Sequence, residues 1–299
     1  MNITIIGSNG FVGKNLVKYL ERQDIINELN IRFPFTSKLE LKTNVVIHLA
    51  GKAHDLKITQ NVPDYYIVNT DFAKKTFDDF LISEANVYIF FSSVKAVADV
   101  LHGDLTEEDN PNPITHYGKS KLLAEEYILS KQIPEGKRVY ILRPCMIHGQ
   151  GNKGNLNLLY NIVKKGFPWP LGAFYNQRSF CSIDNLCFII NELIKNDQIS
   201  SGVYNLADDE PISTNELINL IAVGLGKKPH IWNVPRSLIK LFSKIGDLLS
   251  MPLNSERLSK LTETYIVSNN KIKNAINKPL PLGSKEGLIN TINSFNNGQ

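Results

Sequence analysis

The fold is decided close to the amino terminus, where Ile3-Thr4-Ile5-Ile6 runs directly into Gly7-Ser8-Asn9-Gly10-Phe11-Val12-Gly13. The β-branched run predicts a buried strand, and the apolar spacing over residues 11–21 predicts a helix that begins where the turn ends. Glycines permit a tight turn and a close approach of backbone to a pyrophosphate, and a helix N-terminus presents N–H groups and a positive dipole end. We therefore predict a dinucleotide-binding turn, with a β-α turn that binds nothing as the alternative. Its expected contacts are Gly7, Gly10, Phe11, Val12 and Gly13.

Short apolar runs continue to alternate with helix-length segments through the first half of the chain. Strands are expected near residues 29–31, 45–50, 87–91, 139–142 and 203–206, with helices near 70–83 and 117–131. Strands of this length between helices imply β-α-β units and a parallel sheet covered on both faces. The predicted fold class is α/β, a Rossmann-type doubly wound parallel sheet with a smaller, mainly helical C-terminal substrate lobe. We assign a dinucleotide-binding domain to 1–165 and the substrate-binding lobe to 166–299, some segments of which return to the first domain.

Composition excludes several classes of protein. The 299 residues are 42% hydrophobic and 21% charged, ordinary proportions that argue against a disordered chain. Lys and Arg number 33 against 29 Asp and Glu, and a net charge of +4 is too small to suggest nucleic acid or a membrane as a partner. Cys145, Cys181 and Cys187 form no Cys-x-x-Cys pair, and the six histidines show no metal-ligand spacing. We therefore expect a cytoplasmic protein without a metal site.

The residues after the second predicted strand bear on the choice of cofactor. In dinucleotide-binding folds an acidic residue at this point commonly binds the adenosine ribose, whereas an arginine favours the 2′-phosphate of NADP. Here Arg32-Phe33-Pro34-Phe35 contains no acid. Arg32 therefore favours NADP slightly over NAD, and a solvated surface arginine is the alternative interpretation.

Tyr117-Gly118-Lys119-Ser120-Lys121 has the spacing Y-x-x-x-K and follows a proline-rich loop. On a helix the two side chains share a face, so both head groups reach one substrate. A free phenol has a pKa of about 10, and a nearby ammonium favours the phenolate and lowers that pKa toward the range of a useful base. We predict that Tyr117 and Lys121 act together in proton transfer during a hydride-transfer reaction.

Ser92 and Ser93 follow the strand predicted at 87–91. Ligands of parallel α/β sheets bind at the carboxyl ends of the strands, where a serine hydroxyl can hydrogen-bond the same substrate oxygen as Tyr117. We predict that one of these serines is catalytic and that Ser93 is the stronger candidate. The alternative is a pair that only caps the next segment.

These motifs, taken in order, resemble the extended short-chain dehydrogenase/reductase family, in the NAD-dependent epimerase/dehydratase group that acts on nucleotide sugars. The resemblance extends over nearly the whole chain. The segments that carry it are Gly7/Gly10/Gly13, His48-Leu49-Ala50-Gly51, Val68-Asn69-Thr70, Ser92-Ser93, Tyr117/Lys121, Arg143-Pro144, His148-Gly149, Arg178-Ser179-Phe180 and Ser182-Ile183-Asp184-Asn185-Leu186.

The resemblance implies roles for the matching residues. Tyr117 would be the general acid/base, Lys121 would bind the nicotinamide ribose and lower the pKa of the phenol, and Ser93 would orient the reacting oxygen. Further implied cofactor contacts are Leu49, Ala50, Gly51, Asn69, Ser92 and Pro144, and implied substrate contacts are Arg178 and, more weakly, Arg257. The glycine-rich loop after Arg143-Pro144 either closes over the substrate, with Asn155 or Asn157 in contact, or only connects the two lobes. A homodimer through the helix of Tyr117 and its neighbour is also implied.

Three departures from the family pattern limit what it implies. Ile6 stands where a threonine usually precedes the first glycine, and the span from the second strand to Val45 is short. Ser93 is followed by Val94-Lys95 and not by the Asp-Glu pair of sugar 4,6-dehydratases, which argues against dehydration because water elimination needs an acid and a base.

The function predicted from the sequence is oxidoreduction at C4 of a nucleoside-diphosphate sugar, UDP-linked in our interpretation. Two reactions fit, a 4-keto-sugar reductase and a UDP-sugar 4-epimerase, and the Ser-Ser-Val-Lys segment with the non-acidic second strand end favours the reductase slightly. The alternatives are a dehydrogenase for a steroid or another small alcohol, and a non-catalytic NAD(P)-sensing protein. The intact Tyr117/Lys121 pair argues against the sensor.

Overall fold

A computed structural model describes residues 1–34, 37–52, 61–152, 154–248 and 254–297. The strands are β1 (Asn2–Ile6), β2 (Ile25–Leu29), β3 (Val45–His48), β4 (Val87–Phe91), β5 (Arg138–Pro144), β6 (Met146–His148), β7 (Phe180–Ser182) and β8 (Gly202–Leu206). The helices are α1 (Phe11–Leu20), α2 (Val62–Tyr66), α3 (Phe72–Leu81), α4 (His116–Leu129), α5 (Asn155–Lys164), α6 (Ile183–Lys195), α7 (Thr214–Gly224), α8 (Arg236–Leu248), α9 (Ser255–Thr262), α10 (Asn270–Ile276) and α11 (Ser284–Asn297). A π-helical turn covers Ile67–Asp71, and a 3-10 turn covers Val94–Ala96.

A six-stranded parallel sheet in the order β2-β1-β3-β4-β5-β8 forms the centre of the molecule. The strand order changes direction between β1 and β3, because β2 lies on one side of β1 while β3, β4, β5 and β8 follow on the other. Doubly wound sheets bind their ligands at such a reversal, beyond the carboxyl ends of the strands. The predicted fold class is confirmed.

Apolar side chains cover both faces of this sheet. On one face, Leu16 of α1 and Ile190 of α6 belong to the same buried cluster as Ile5 and Ile47 of the sheet. On the other, Phe77 of α3 and Ile128 of α4 belong to a second buried cluster. Each fully buried side chain of this size contributes about 1.5–3 kcal/mol, so the two layers hold the strand ends in fixed positions.

The C-terminal lobe has its own buried cluster, which includes Leu159, Trp169, Ile218 and Leu258. The short parallel pair β6 and β7 lies beside it. Strand β8 completes the large sheet and α6 packs on its core, so these later segments belong with the first half of the chain. A division at residue 165 stays a prediction.

Two element boundaries differ from those expected. Strand β2 ends at Leu29, earlier than the predicted 29–31, and Asn30 already bonds to the glycine-rich turn. Strand β3 ends at His48, because Leu49 and Ala50 both donate their N–H groups to Ile6 O and bend toward β1. Among the described residues, none of the helices is both long and apolar enough to span a bilayer.

Candidate active site

The glycine-rich turn is too compact to admit side chains at two of its glycines. Gly7 has φ +88°, and a Cβ there would lie 2.7 Å from the backbone N of Ala50. A Cβ on Gly13 would lie 2.5 Å from the carbonyl O of Ser8. Helix α1 begins at Phe11 with Gly10 as its N-cap. The turn therefore brings a helix N-terminus to the crevice between β1 and β3, which is the cradle that a pyrophosphate requires.

The corner after β2 carries an amide where a carboxylate is common. Asn30 Nδ2 donates to Ser8 Oγ at 2.8 Å, and Asn30 Oδ1 accepts from the N–H of Asn9 at 3.3 Å. Arg32 is exposed two residues later. Sequence reasoning missed Asn30 because it placed the end of the strand two residues too late. Its position as the first residue after β2 is the signal that identifies it.

The other predicted cofactor residues lie around the same strand ends. Leu49, Ala50 and Gly51 follow β3, and Pro144 is the buried last residue of β5. Phe11 and Val12, in the first turn of α1, are half-buried. A Cβ on Gly149 would lie 3.6 Å from the Phe11 ring, so this ring borders the loop after β6.

Tyr117 lies in the first turn of α4. The helix is capped by Thr115, whose Oγ1 accepts from the N–H of Gly118 at 3.2 Å. Gly118 lets the helix approach the 3-10 turn after β4, because a Cβ there would collide with the carbonyl O of Lys95. This close approach brings Tyr117 against Ser93, the N-cap of that turn.

The hydroxyls of Tyr117 and Ser93 form a hydrogen bond. Burial raises the pKa of the Tyr117 phenol above its ordinary value, the hydrogen bond from Ser93 lowers it, and nearby Tyr65 raises it again. Ser93 Oγ also accepts from the N–H of Lys95 at 3.2 Å. Ser93 therefore caps the turn and contacts the predicted base at the same time, which combines the two interpretations of the serine pair.

Lys121 lies one helical turn beyond Tyr117 and is only 4% exposed. Its Nζ donates to the carbonyl O of Phe91 at 2.7 Å. Burial lowers the pKa of Lys121 to about 8, while the carboxylate of Glu125 acts in the opposite direction. A Cβ on Gly51 would lie 3.0 Å from Lys121 Nζ and 3.1 Å from Asn69 Oδ1, so a side chain there would push against both groups.

Asn69 is fully buried in the π-helical turn. Its Oδ1 accepts from the N–H of Lys52 at 2.7 Å, and its Nδ2 donates to Ser120 Oγ at 3.0 Å. Asn69 thus ties the segment after β3 to helix α4. This holds Gly51 over the ammonium of Lys121.

A buried ion pair lies beneath Lys121, and sequence reasoning missed it. The Glu125 carboxylate receives two N–H groups of Arg143, with Nη2 to Oε2 at 2.5 Å, and also accepts from Ser92 Oγ. Glu125 is fully buried and Arg143 is 5% exposed. Glu125 stands four residues after Lys121 and eight after Tyr117, and that shared helix face was the available signal. The Ser92 hydroxyl points at Glu125.

The predicted substrate residues lie in different places. Arg178 is half-buried, and its Nη1 donates to the carbonyl O of Lys260 at 2.5 Å, in the last turn of α9. Burial lowers the pKa of Arg178, and the carboxylate of Glu263 opposes this. Arg257 is exposed in the first turn of the same helix. These contacts stay predictions.

A second cation lies close to Arg178. Lys95 Nζ lies 4.1 Å from the centre of the Tyr265 ring and donates to the carbonyl O of Asp99 at 2.8 Å. Burial lowers the pKa of Lys95, and Arg178 adds to that effect. Because Lys95 follows Ser93 by two residues, this cluster connects Arg178 to the Tyr117 end of the site.

The loop after β6 contains the last two candidates. Asn157 Nδ2 donates to the carbonyl O of Asn152 at 2.7 Å, and its Oδ1 is buried. The side chain of Asn155 lies outside the described residues. Neither predicted substrate contact is tested by these positions.

Comparisons with known proteins identify the family of the chain. The family model of the 3-beta hydroxysteroid dehydrogenase/isomerase family matches residues 34–236. UDP-glucose 4-epimerase of Vibrio cholerae is 31% identical to this chain, over 98% of the chain and 95% of the relative.

Solved structures share the fold over the whole chain. A variant of UDP-glucuronic acid 4-epimerase from Bacillus cereus, in complex with UDP-4-deoxy-4-fluoro-glucuronic acid and NAD, has a TM-score of 0.77 at 16% identity and covers 99% of both chains. RMD from Pseudomonas aeruginosa, complexed with NADPH, has a TM-score of 0.72 at 20% identity and covers 98% of both. The chain is therefore an enzyme of the extended short-chain dehydrogenase/reductase family, in its NAD-dependent epimerase/dehydratase group.

Proposed function

We propose that the protein is an NAD(P)-dependent enzyme that acts at C4 of a UDP-linked sugar. Of the two reactions that fit, we favour a 4-keto-sugar reductase over a 4-epimerase. The observation that carries this proposal is the hydrogen-bonded pair of Tyr117 and Ser93, with buried Lys121 one turn away and the glycine-rich turn at the neighbouring strand ends. A phenol, a hydroxyl and an ammonium in this arrangement suit proton transfer to and from an alcohol oxygen.

The chain's own residues account for the proton half of the reaction. Tyr117 gives its hydroxyl proton to the 4-keto oxygen as the alcohol forms, and Ser93 donates a hydrogen bond that orients that oxygen. The ammonium of Lys121 stabilises the phenolate that remains until solvent returns a proton. A nicotinamide, when bound, supplies the hydride that C4 receives.

An epimerase would use the same groups in both directions. The Tyr117 phenolate would first accept the proton of the 4-hydroxyl. It would then return a proton after the 4-keto sugar had rotated to present its other face. The residues expected to hold the cofactor are the same in both reactions: Gly7, Gly10, Gly13, Ala50, Gly51, Asn69 and Lys121. The amide of Asn30 and the exposed guanidinium of Arg32 support NADP in preference to NAD.

The test supplies a UDP-linked 4-keto-6-deoxy amino sugar with NADPH or NADH and follows the loss of reduced nicotinamide. We expect turnover by the natural protein and a loss of at least about 100-fold in kcat for Tyr117→Phe, which cannot donate a proton. A parallel incubation with UDP-glucose and no added cofactor measures conversion to UDP-galactose. Tight retention of NAD through purification, with epimerisation and no need for reductant, would overturn the reductase. Unchanged turnover in Tyr117→Phe would overturn both reactions.

A steroid or another small alcohol is the second candidate substrate, and the matching family model favours it. Competition distinguishes the two, since UDP should displace a UDP-sugar from the site and leave steroid binding unaffected. The same measurement bears on Arg178, because Arg178→Ala should weaken UDP binding and spare a steroid. A homodimer in the cytoplasm remains part of this proposal.

A further inference from the structure

Helix α8 carries a row of large apolar side chains that face solvent. Leu238, Leu241, Phe242, Ile245 and Leu248 are between 41% and 84% exposed. Single exposed apolar residues are ordinary, but five on one helix form a contiguous patch. We refer to these five residues as the apolar row.

The apolar row is separate from the face by which α8 is attached to the lobe. At about 100° per residue, the row falls within an arc of about 120° around the helix axis. The attached face consists of Ile239, Ser243 and Gly246, which are buried. Lys240 and Lys244 are exposed in a third sector, which also contains Asp247, and Lys244 borders the row.

Both ends of α8 are fixed, so the helix is a built part of the lobe. At its start, Arg236 Nε donates to the carbonyl O of Ala173 at 2.7 Å. At its end, the Asp247 carboxylate accepts from the N–H of Ser255 at 2.9 Å and from its hydroxyl at 2.6 Å. These bonds join α8 to α9, whose last turn contacts Arg178 of the candidate site.

We propose that α8 docks the protein on an anionic lipid surface. Its apolar row would enter the boundary between headgroups and acyl chains, while Lys240 and Lys244 would contact lipid phosphates. An attached helix with an apolar arc and a flanking basic sector has the design of an interfacial helix, and each lysine near an anionic surface adds attraction. The net charge of the whole chain conceals this arrangement, because binding depends on local charge.

Charge also favours lipid over a second copy of the chain. A two-fold interface uses the same patch on both partners, so it would bring the lysine pairs of two copies close together, with Asp247, already bonded to Ser255, as the one carboxylate of the helix. A bilayer rich in anionic lipid instead supplies the missing negative charge. The proposal does not depend on the proposed reaction, since it uses residues outside the candidate site.

Flotation with vesicles of phosphatidylcholine, with and without phosphatidylglycerol, tests the proposal on the full chain. We expect the natural protein to float with vesicles that contain phosphatidylglycerol. The double change Leu241→Ser with Phe242→Ser should lower the partition coefficient at least about tenfold. Lys240→Gln and Lys244→Gln should each lower it about fivefold, and only on the anionic vesicles. Val223→Ser, which removes a 70% exposed side chain of α7, is the matched control and should bind like the natural protein.

Two readouts accompany the flotation. Thermal unfolding should change little in the serine variant, because more than half of each altered side chain is exposed, and turnover of water-soluble substrate should be unchanged. The proposal fails if the natural protein ignores anionic vesicles, or if the serine variant binds them equally well. Dissociation of an oligomer by the serine change, without vesicle binding, would identify the row as a protein interface and would likewise overturn it.

Discussion

At the residue scale, the candidate site depends on a lysine held where a charge is costly. Lys121 is buried, and its pKa falls to about 8 chiefly because burial disfavours the ammonium, although Glu125 partly offsets that effect. Its Nζ donates to the carbonyl O of Phe91. A buried ammonium of this kind lowers the stability of the folded state, and ionisable groups with such shifted pKa values are common at functional sites.

Replacement of this lysine should therefore stabilise the fold and abolish activity. The folded state binds the Lys121 proton less tightly than the unfolded state, with a pKa of about 8 against 10.5. The unfolded state thus holds more protons between about pH 8 and 10.5, and the free energy of unfolding of the natural protein should rise with pH across that window. For Lys121→Met we expect about 1–3 kcal/mol more stability at pH 7, less than the full shift because the Phe91 carbonyl loses its donor.

Denaturant unfolding at several pH values measures both effects. The rise between about pH 8 and 10.5 should be absent in Lys121→Met. Lys119→Met, at an exposed position on the same helix, is the control and should leave both the stability and its pH dependence unchanged. Equal or lower stability of Lys121→Met at pH 7 would contradict the electrostatic argument.

Arg32 offers a prediction about cofactor choice. Without a carboxylate after β2, its guanidinium is the available partner for a 2′-phosphate, and an exposed charge pair is worth up to about 1 kcal/mol. Arg32→Ala should lower kcat/KM for NADPH about fivefold and leave that for NADH nearly unchanged. Arg22→Ala, an exposed arginine beyond α1, is the control. An equal loss with both cofactors would show that Arg32 has no part in the choice.

At the element scale, the strands predicted best are those that are buried along nearly their whole length. Strands β1 and β4 are buried along nearly their whole length, so their apolar runs identified them. Strand β2 lies at the sheet edge and is largely exposed, so its pattern was weak and its end was misplaced. The Tyr117 helix was predicted from spacing, but its approach to Ser93 depends on contacts between distant segments.

Gly118 controls that approach. A methyl group there would meet the carbonyl O of Lys95 and would lie 2.8 Å from Pro113 Cβ, so helix α4 would have to move away from the 3-10 turn. We expect Gly118→Ala to lower kcat about 10- to 100-fold, because Tyr117 and Ser93 separate, with little change in the KM for cofactor. Steady-state kinetics and thermal unfolding are the measurements.

A glycine-to-alanine change at an uncrowded position is the matched control for the steric effect at Gly118. Gly103→Ala places its methyl group in open space and should retain natural kinetics. Alanine within an unhindered helix would normally stabilise by about 1 kcal/mol, so a more stable and fully active Gly118→Ala would refute the steric argument.

At the scale of the whole molecule, the sheet with its two helical layers and the C-terminal lobe meet around the candidate site. Tyr117, Lys121 and Ser93 come from the sheet half, whereas Arg178 comes from the segment beside β7 and contacts α9. Composition and periodicity predicted this division in outline. They did not predict the exposed row of α8, because an amphipathic sequence does not reveal which of its faces meets the lobe.

The predicted homodimer is also tested at this scale. Leu123 and Leu129 of α4 are 42% and 59% exposed on the helix that the family resemblance implies at the interface. Leu123→Glu combined with Leu129→Glu should convert a dimer to monomers, since a buried unpaired carboxylate is costly. Sedimentation velocity gives the mass, and Val223→Glu serves as the control. A natural protein that sediments as a monomer, or a double variant that remains dimeric, would exclude this interface.

The parallel order of the sheet has a practical consequence for engineering. Since the candidate reacting groups are attached near the carboxyl ends of the strands, the opposite rim should tolerate redesign. There the turn before β5 is closed by the N–H of Lys137 bonding to the Pro134 carbonyl, and Gly136 borders open space. A fluorescent tag or an affinity peptide spliced into this turn would report on the working protein from the side remote from its chemistry.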